Sequence, residues 1–132
     1  MLKILDIKTT QRVELLDITS MVNDLILKSA VKNGLCSLFV PHTTAGVTIN
    51  ENADPSVKVD ITEKFNSLIP AHDNYTHIEG NADSHIKSTI VGQTTNLIID
   101  NSRIVLGTWQ GIFFCEFDGP RNRKIYVKII NG

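Results

Sequence analysis

Apolar positions along the chain change period several times, and each change marks an expected element. Leu2 to Thr9 alternates weakly and reads as a strand, with Val13 to Leu16 as its hairpin partner across Thr10-Gln11. Met21, Val22, Leu25, Ile26 and Ala30 then fall three or four apart, which puts them on one face of a helix. Asp17 to Ser20 offers capping side chains ahead of it, and Asn33-Gly34 is expected to end it. Leu35 to Val40 is an apolar run closed by Pro41. Gly46 to Asn50, β-branched at 47, 48 and 49, is expected to pair with it. Asp54-Pro55 opens a second helix, since the carboxylate caps and proline suits the first turn. Val57, Ile61, Phe65 and Leu68 continue that helix until Pro70.

Ala71 to Asn81 is polar throughout and reads as a surface loop of a length usually reserved for function or mobility. A short third helix is expected over Ser84 to Val91, capped by Asp83 or Ser84 and closed by Gly92. The remainder reads as strands over Asn96 to Asp100, Arg103 to Leu106, Gln110 to Phe117 and Lys124 to Ile130. Asn101-Ser102 and Asp118-Gly119-Pro120 provide the turns. Helices and strands mix without a regular βαβ alternation, so the predicted class is α+β, one domain over residues 1–132, with mixed or antiparallel sheets packed against two main helices and a short third.

Charge removes one class of partner. The net charge of -1 gives no general attraction for nucleic acid, and Arg121-Asn122-Arg123-Lys124 is the one basic cluster. No run approaches the ~20 apolar residues of a membrane span, and the first residues lack a signal-peptide core. A cytoplasmic address is therefore expected. Cys36 and Cys115 sit in apolar runs without a CxxC partner, which predicts buried, reduced thiols.

The candidate chemistry centres on histidine. His42 follows an expected strand, His77 lies in the polar loop, and His85 falls in the first turn of the third helix. Three neutral imidazoles suit zinc with one position left open, while unconnected surface histidines are the competing reading, because no HxxxH or HExxH spacing is present. Glu51, Asp54, Glu79 and Asp83 surround them as candidate bases or partners of an imidazole; Asp54 and Asp83 also serve as plain helix caps. Thr43, Thr44, Gly46 and Asn50 can offer hydroxyls and backbone N–H groups to an anion, or form an ordinary polar connection. Trp109, between Gly107 and Gly111, is read either as core or as a pocket wall for a flat ring. Arg121 and Arg123 can hold phosphate; for Arg123 a solvated turn is the preferred reading.

Four stretches resemble one family. His42-Thr43-Thr44-Ala45-Gly46-Val47-Thr48-Ile49-Asn50-Glu51-Asn52-Ala53-Asp54-Pro55, Glu79 through Ser88, Leu106 through Gly111 and Glu116 through Arg121 are similar, in order, to the signature of the YjbQ-like proteins, the secondary thiamine-phosphate synthase family. The resemblance implies a homotrimer with polar pockets near the subunit interfaces. It also implies a weak activity that couples a hydroxymethylpyrimidine diphosphate to a thiazole phosphate. On that reading His42, His77 and His85 hold a divalent metal, zinc first and magnesium as the alternative. Glu51 and Asp83 handle protons, and Thr43, Thr44, Asn52, Trp109, Gln110 and Arg121 contact a small phosphorylated metabolite. A metal-dependent hydrolase of a small phosphorylated or amide substrate, and a non-catalytic trimeric metabolite- or metal-binding module, stand as alternatives. No nucleic-acid or membrane partner is expected.

Overall fold

The computed structural model describes residues 2–132 and contains two antiparallel sheets and three helices. In chain order these are β1 (Leu2–Lys8), β2 (Glu14–Asp17), α1 (Thr19–Ser29), β3 (Gly34–Phe39), β4 (Ala45–Glu51), α2 (Pro55–Leu68), α3 (Ala82–Val91), β5 (Thr94–Asp100), β6 (Arg103–Ile104), β7 (Gln110–Glu116) and β8 (Asn122–Asn131). One sheet runs β1-β8-β3-β5-β6 and the other β2-β7-β4. The α+β reading holds.

Two pairings differ from the sequence expectation. β2 pairs with β7, Leu15 facing Cys115, instead of forming a hairpin with β1. β4 also pairs with β7, Val47 facing Phe114, while β3 lies between β5 and β8. Burial explains both corrections. β7 is the most apolar strand, buried from Gly111 through Glu116, and a strand hidden on both faces needs a ladder along each edge. β2 and β4 provide those ladders.

The main core lies between the inner face of the five-stranded sheet and one face of the three-stranded sheet. Ile7, Leu38, Val47, Ile112, Phe114 and Val127 meet there, and Val22 and Ile26 of α1 close one side. Burying each such side chain is worth roughly 1.5–3 kcal/mol before the entropy of ordering the chain is charged against it. A smaller cluster, Leu15, Phe113, Cys115 and Phe117, covers the opposite face of the short sheet. Ile61 and Phe65 of α2 pack on it, Phe65 and Phe117 meeting edge to face with ring centres 6.2 Å apart.

α1 ends earlier than Asn33-Gly34. Ala30 takes the left-handed cap conformation with φ 60°, and its N–H donates to Leu27 O. Gly34 has a different task. A β-carbon there would stand 1.9 Å from the carbonyl oxygen of Ile130, so only glycine lets β3 and β8 approach at that point. α2 starts as expected, with Asp54 accepting from Ser56 N. α3 starts two residues before the expected position. Asn81 is its N-cap residue, and Asp83, completely buried, caps nothing.

Candidate functional site

The strand-ending loop 40–44, the start of α3 and the β7–β8 connection converge on one open cleft of about 1020 Å³. His42, Thr43 and Thr44 enter it from the first, Asn81, His85 and Thr89 from the second, and Asp118, Arg121 and Arg123 from the third. Seven of the residues singled out from sequence therefore line one cleft: His42, Thr43, Thr44, Glu79, His85, Arg121 and Arg123. Glu79 adds a carboxylate at the same cleft.

Beneath the cleft lies a buried ion pair. Glu116 ends β7, completely buried, and accepts from Thr9 Oγ1 at 2.7 Å, Arg123 Nε at 2.9 Å and the Asp118 N–H at 3.0 Å. Arg123 is 5% exposed and also donates through Nη2 to Thr44 Oγ1 at 2.7 Å. The solvated-turn reading of Arg123 is thereby corrected, since its side chain points inward from β8. Burial pushes the Glu116 carboxyl up. The hydrogen bonds from Arg123, Thr9 and Asp118 more than reverse this and hold its pKa below the ordinary value. The sequence carried a signal for this pair: Glu116 stands inside Phe113-Phe114-Cys115-Glu116-Phe117, where a lone charge needs an internal partner.

His42 is oriented by the backbone. Its Nε2 accepts the Lys124 N–H at 3.0 Å, which assigns the imidazole proton to Nδ1. Burial and the nearby Arg123 charge lower its pKa, so the ring is neutral at pH 7. Arg121 is tied to its own loop: Nε donates to Asp118 O at 2.7 Å and Nη2 to Asp118 Oδ2 at 2.9 Å. Asn81 Nδ2 donates to the same Asp118 oxygen at 2.9 Å, while its own Oδ1 is buried without a partner. Arg121 Nη1 has no protein partner among the described residues.

The three-histidine metal site does not assemble within one chain. His77 and His85 stack edge to face with ring centres 5.2 Å apart, yet His77 belongs to a separate hollow on the far side of His85, with Tyr75 and Ile86. His42 has already committed Nε2 to Lys124. Among the described residues no three His, Cys, Asp or Glu side chains are grouped so as to hold one ion. The donor set of a single chain therefore does not fit a His42–His77–His85 ion.

The other candidates lie elsewhere. Asp83 faces away from the cleft, where its carboxylate receives both Arg12 Nη atoms, at 3.0 and 3.2 Å, and Lys87 Nζ at 3.2 Å. Burial raises its pKa, but those hydrogen bonds outweigh burial and hold it low, which removes it as a proton carrier for the cleft. Glu51 lines a mostly apolar cavity of about 460 Å³ under α2. Asn52 donates to Asp17 Oδ2 at 3.1 Å, Gln110 Oε1 accepts from Gly107 N at 2.8 Å, and Trp109 is 62% exposed beside them. Gly111 matters to this group because a β-carbon there would strike Asn52 Nδ2 at 2.4 Å. These four residues cluster at the far end of β4, roughly 20 Å from Thr44 at ~3.3 Å per residue. One small molecule cannot touch both groups in one chain. Asp54, a helix cap, is spent on Ser56.

Cys36 and Cys115 are free and buried, their thiols pushed up by burial to about 11 and about 12. No helix among the described residues is long and apolar enough to cross a membrane.

Comparison with known proteins places this architecture. The chain is 59% identical over 124 residues to UPF0047 protein MJ1081 of Methanocaldococcus jannaschii, covering 94% of this chain and 90% of that one. It is 50% identical over 131 residues to UPF0047 protein YugU of Bacillus subtilis, covering 98% and 99%. A crystal structure of an uncharacterized conserved protein of the YjbQ/UPF0047 family from Clostridium acetobutylicum superposes with a TM-score of 0.94 at 47% identity, over 97% of this chain and 99% of that one. A YbjQ-like protein from Sulfolobus solfataricus gives 0.94 at 34% identity, over 100% and 97%. Residues 3–132 match the family model described as UPF0047 protein YjbQ-like, and the chain belongs to that family.

Proposed function

We propose that the cleft binds a small phosphorylated metabolite and supports a thiamine-phosphate synthase-like coupling, joining a hydroxymethylpyrimidine diphosphate to a thiazole phosphate. The observation that carries this reading is the convergence of His42, Thr43, Thr44, His85 and Arg121 on one polar cleft large enough for two small substrates. In the reaction the thiazole nitrogen forms a bond to the pyrimidine methylene carbon as the carbon–oxygen bond to the diphosphate breaks. The electron pair leaves with pyrophosphate, and the ring nitrogen becomes cationic. Negative charge grows on the leaving oxygens, where fixed donors help most. Arg121 Nη1, the Thr43 and Thr44 hydroxyls and the His42 Nδ1–H are the donors available to it. Magnesium travelling with the diphosphate, as part of the substrate, would meet Glu79 and Asp118, the two cleft carboxylates.

We further infer a homotrimer in the cytoplasm. The outer face of the five-stranded sheet exposes two apolar rows, Leu35, Ile98 and Ile130 in one and Ile4 and Phe39 in the other, with Lys128, Ser37 and Asn96 between them, a mixed surface of the kind that pairs with another protein surface. Phe39 also lines the cleft, so a neighbouring copy on this face lies at the cleft rim. Free, buried cysteines suit a reducing compartment.

The test supplies both precursors with magnesium and measures thiamine phosphate and pyrophosphate together, with light scattering on the same sample. Equal appearance of both products, reduced about tenfold or more in Arg121→Gln, is the expected result. Pyrophosphate or phosphate without thiamine phosphate replaces this reading by a hydrolase. Saturable binding without turnover replaces it by a binding module.

A further inference from the structure

We propose that the polar hollow between the β1–β2 turn, α2 and α3, on the flank of α3 opposite the cleft, is a second anion site that takes inorganic phosphate or a similar small oxyanion. Its walls are Gln11 and Arg12 from the turn, Asn66 from α2, and Asp83 and Lys87 from α3, around a volume of about 400 Å³. The inference does not depend on the activity proposed for the cleft.

Charge is the first argument. Two cations, Arg12 and Lys87, face one carboxylate, Asp83, which leaves the group with one excess positive charge. Lys87 is 1% exposed and Asp83 is fully buried. An ammonium this deep is retained only where anions and acceptors surround it, and a single shared carboxylate is a thin supply.

Unused donors are the second argument. An ammonium carries three hydrogens. Lys87 donates to Asn66 Oδ1 at 2.7 Å and to Asp83 Oδ2 at 3.2 Å, and its third has no protein partner among the described residues. Arg12 gives one bond from each Nη to Asp83, which leaves its Nε–H and the second hydrogen of each Nη without a described partner. The Asp83 oxygens, already receiving three donors, are masked from an incoming anion. Phosphate offers the acceptors that this set of donors lacks, and a guanidinium beside an ammonium is a common pairing for it.

α3 explains why the two sites are distinct. Residues four apart share a helix flank, so Asp83 and Lys87 present one surface while His85 and Thr89 present another to the cleft. Arg12 meets the cleft loop through its backbone, its carbonyl accepting the Gly119 N–H at 3.0 Å, and its guanidinium also feels the more distant Asp118 charge.

The experiment titrates sodium phosphate into the Arg121→Gln protein, which lacks the cleft guanidinium, at constant ionic strength. Nuclear magnetic resonance follows the Arg12 Nε–H and the Asn66 side-chain amide. We expect a saturable shift of both, absent with chloride, and a midpoint raised at least tenfold for Asn66 when Arg12→Gln is added. Arg12→Gln leaves Lys87 as a partner of Asp83, and a dispersed spectrum of the variant, recorded before the titration, is the check on its fold. Lys87→Met provides a second test in any preparation whose spectrum remains dispersed, and it should abolish saturation. A linear drift identical with phosphate and chloride, or an Asn66 response unchanged by Arg12→Gln, overturns the proposal.

Discussion

Replacing Glu116 by glutamine keeps the side-chain volume and removes one charge from the floor of the cleft. The Arg123 guanidinium, 5% exposed, then has no anion within reach. Breaking one partner of a buried pair typically costs ~3–5 kcal/mol, because the surviving charge stays desolvated. Against a total stability of ~5–15 kcal/mol that is a large fraction, enough to move a urea midpoint by about 1–3 M at ordinary slopes. The Glu116→Leu/Arg123→Met double variant removes both charges and should recover at least half of the loss. Urea unfolding of the three proteins at pH 7, with slopes checked for equality, makes the comparison. Acid provides an independent reading. The folded carboxyl titrates below its ordinary value. Its stabilisation is therefore complete above the unfolded pKa and disappears as pH falls through the lowered folded one. Glu116→Gln should flatten that acid limb. A single variant within about 1 kcal/mol of the parent, or a double variant less stable than the single, refutes the reasoning, since either outcome means the pair is solvated or unimportant.

His42 should appear by ¹⁵N spectroscopy as the Nδ1–H tautomer and titrate below the ordinary histidine range; a free Nε2 would contradict the Lys124 contact. Because its folded pKa is depressed, its contribution is full above the unfolded pKa, and stability declines as pH falls from that value toward the folded one. Gly34→Ala should cost about 1–3 kcal/mol or more in thermal or urea unfolding, as overpacking against the Ile130 carbonyl requires β3 and β8 to part. Zinc retained after dialysis, measured by elemental analysis, should be the same for His77→Ala as for the parent; a selective loss restores the three-histidine site.

The local features were legible where one residue type has one physical use. Asp54-Pro55 can hardly do anything but open a helix, and α2 begins there. The apolar run around Cys36 forms a strand as expected, but only Cys36 and Leu38 are interior while Leu35 and Phe39 face outward. Closeness in sequence favours β2 beside β1 and β4 beside β3, and the fold follows neither pairing. The competing demand, that β7 be flanked on both edges, becomes visible only when burial is known. In the candidate site, the turn and strand-end residues His42, Thr43, Thr44 and Arg121 line one cleft. Asp83 is acidic and two residues from His85, and both its position and the family resemblance point to chemistry. A helix turns by about 100° per residue, so two positions along it point to a different side of α3. Glu51, Asn52, Trp109 and Gln110 belong to one compact group, and the length of β4 separates that group from the cleft.

The order of strands has a consequence for how this chain comes off the ribosome. The edge strand β1 has a single partner, β8, and Leu2 faces Lys128 across that ladder. β2 and β4 likewise both wait for β7. β7, at the centre of the short sheet, and β8, between β1 and β3 in the long one, thus emerge after the strands they join, and an elongating chain carries β1, β2 and β4 with no ladder yet. Helix α1 and the β5–β6 hairpin can form early, but the two-sheet core closes only once residues 122–131 have cleared the exit tunnel. Closing such distant pairs is slow relative to local structure. During that interval β1, β2 and β4 are unprotected edges, open to pairing with other chains, and the cell must shelter them or outrun the encounter.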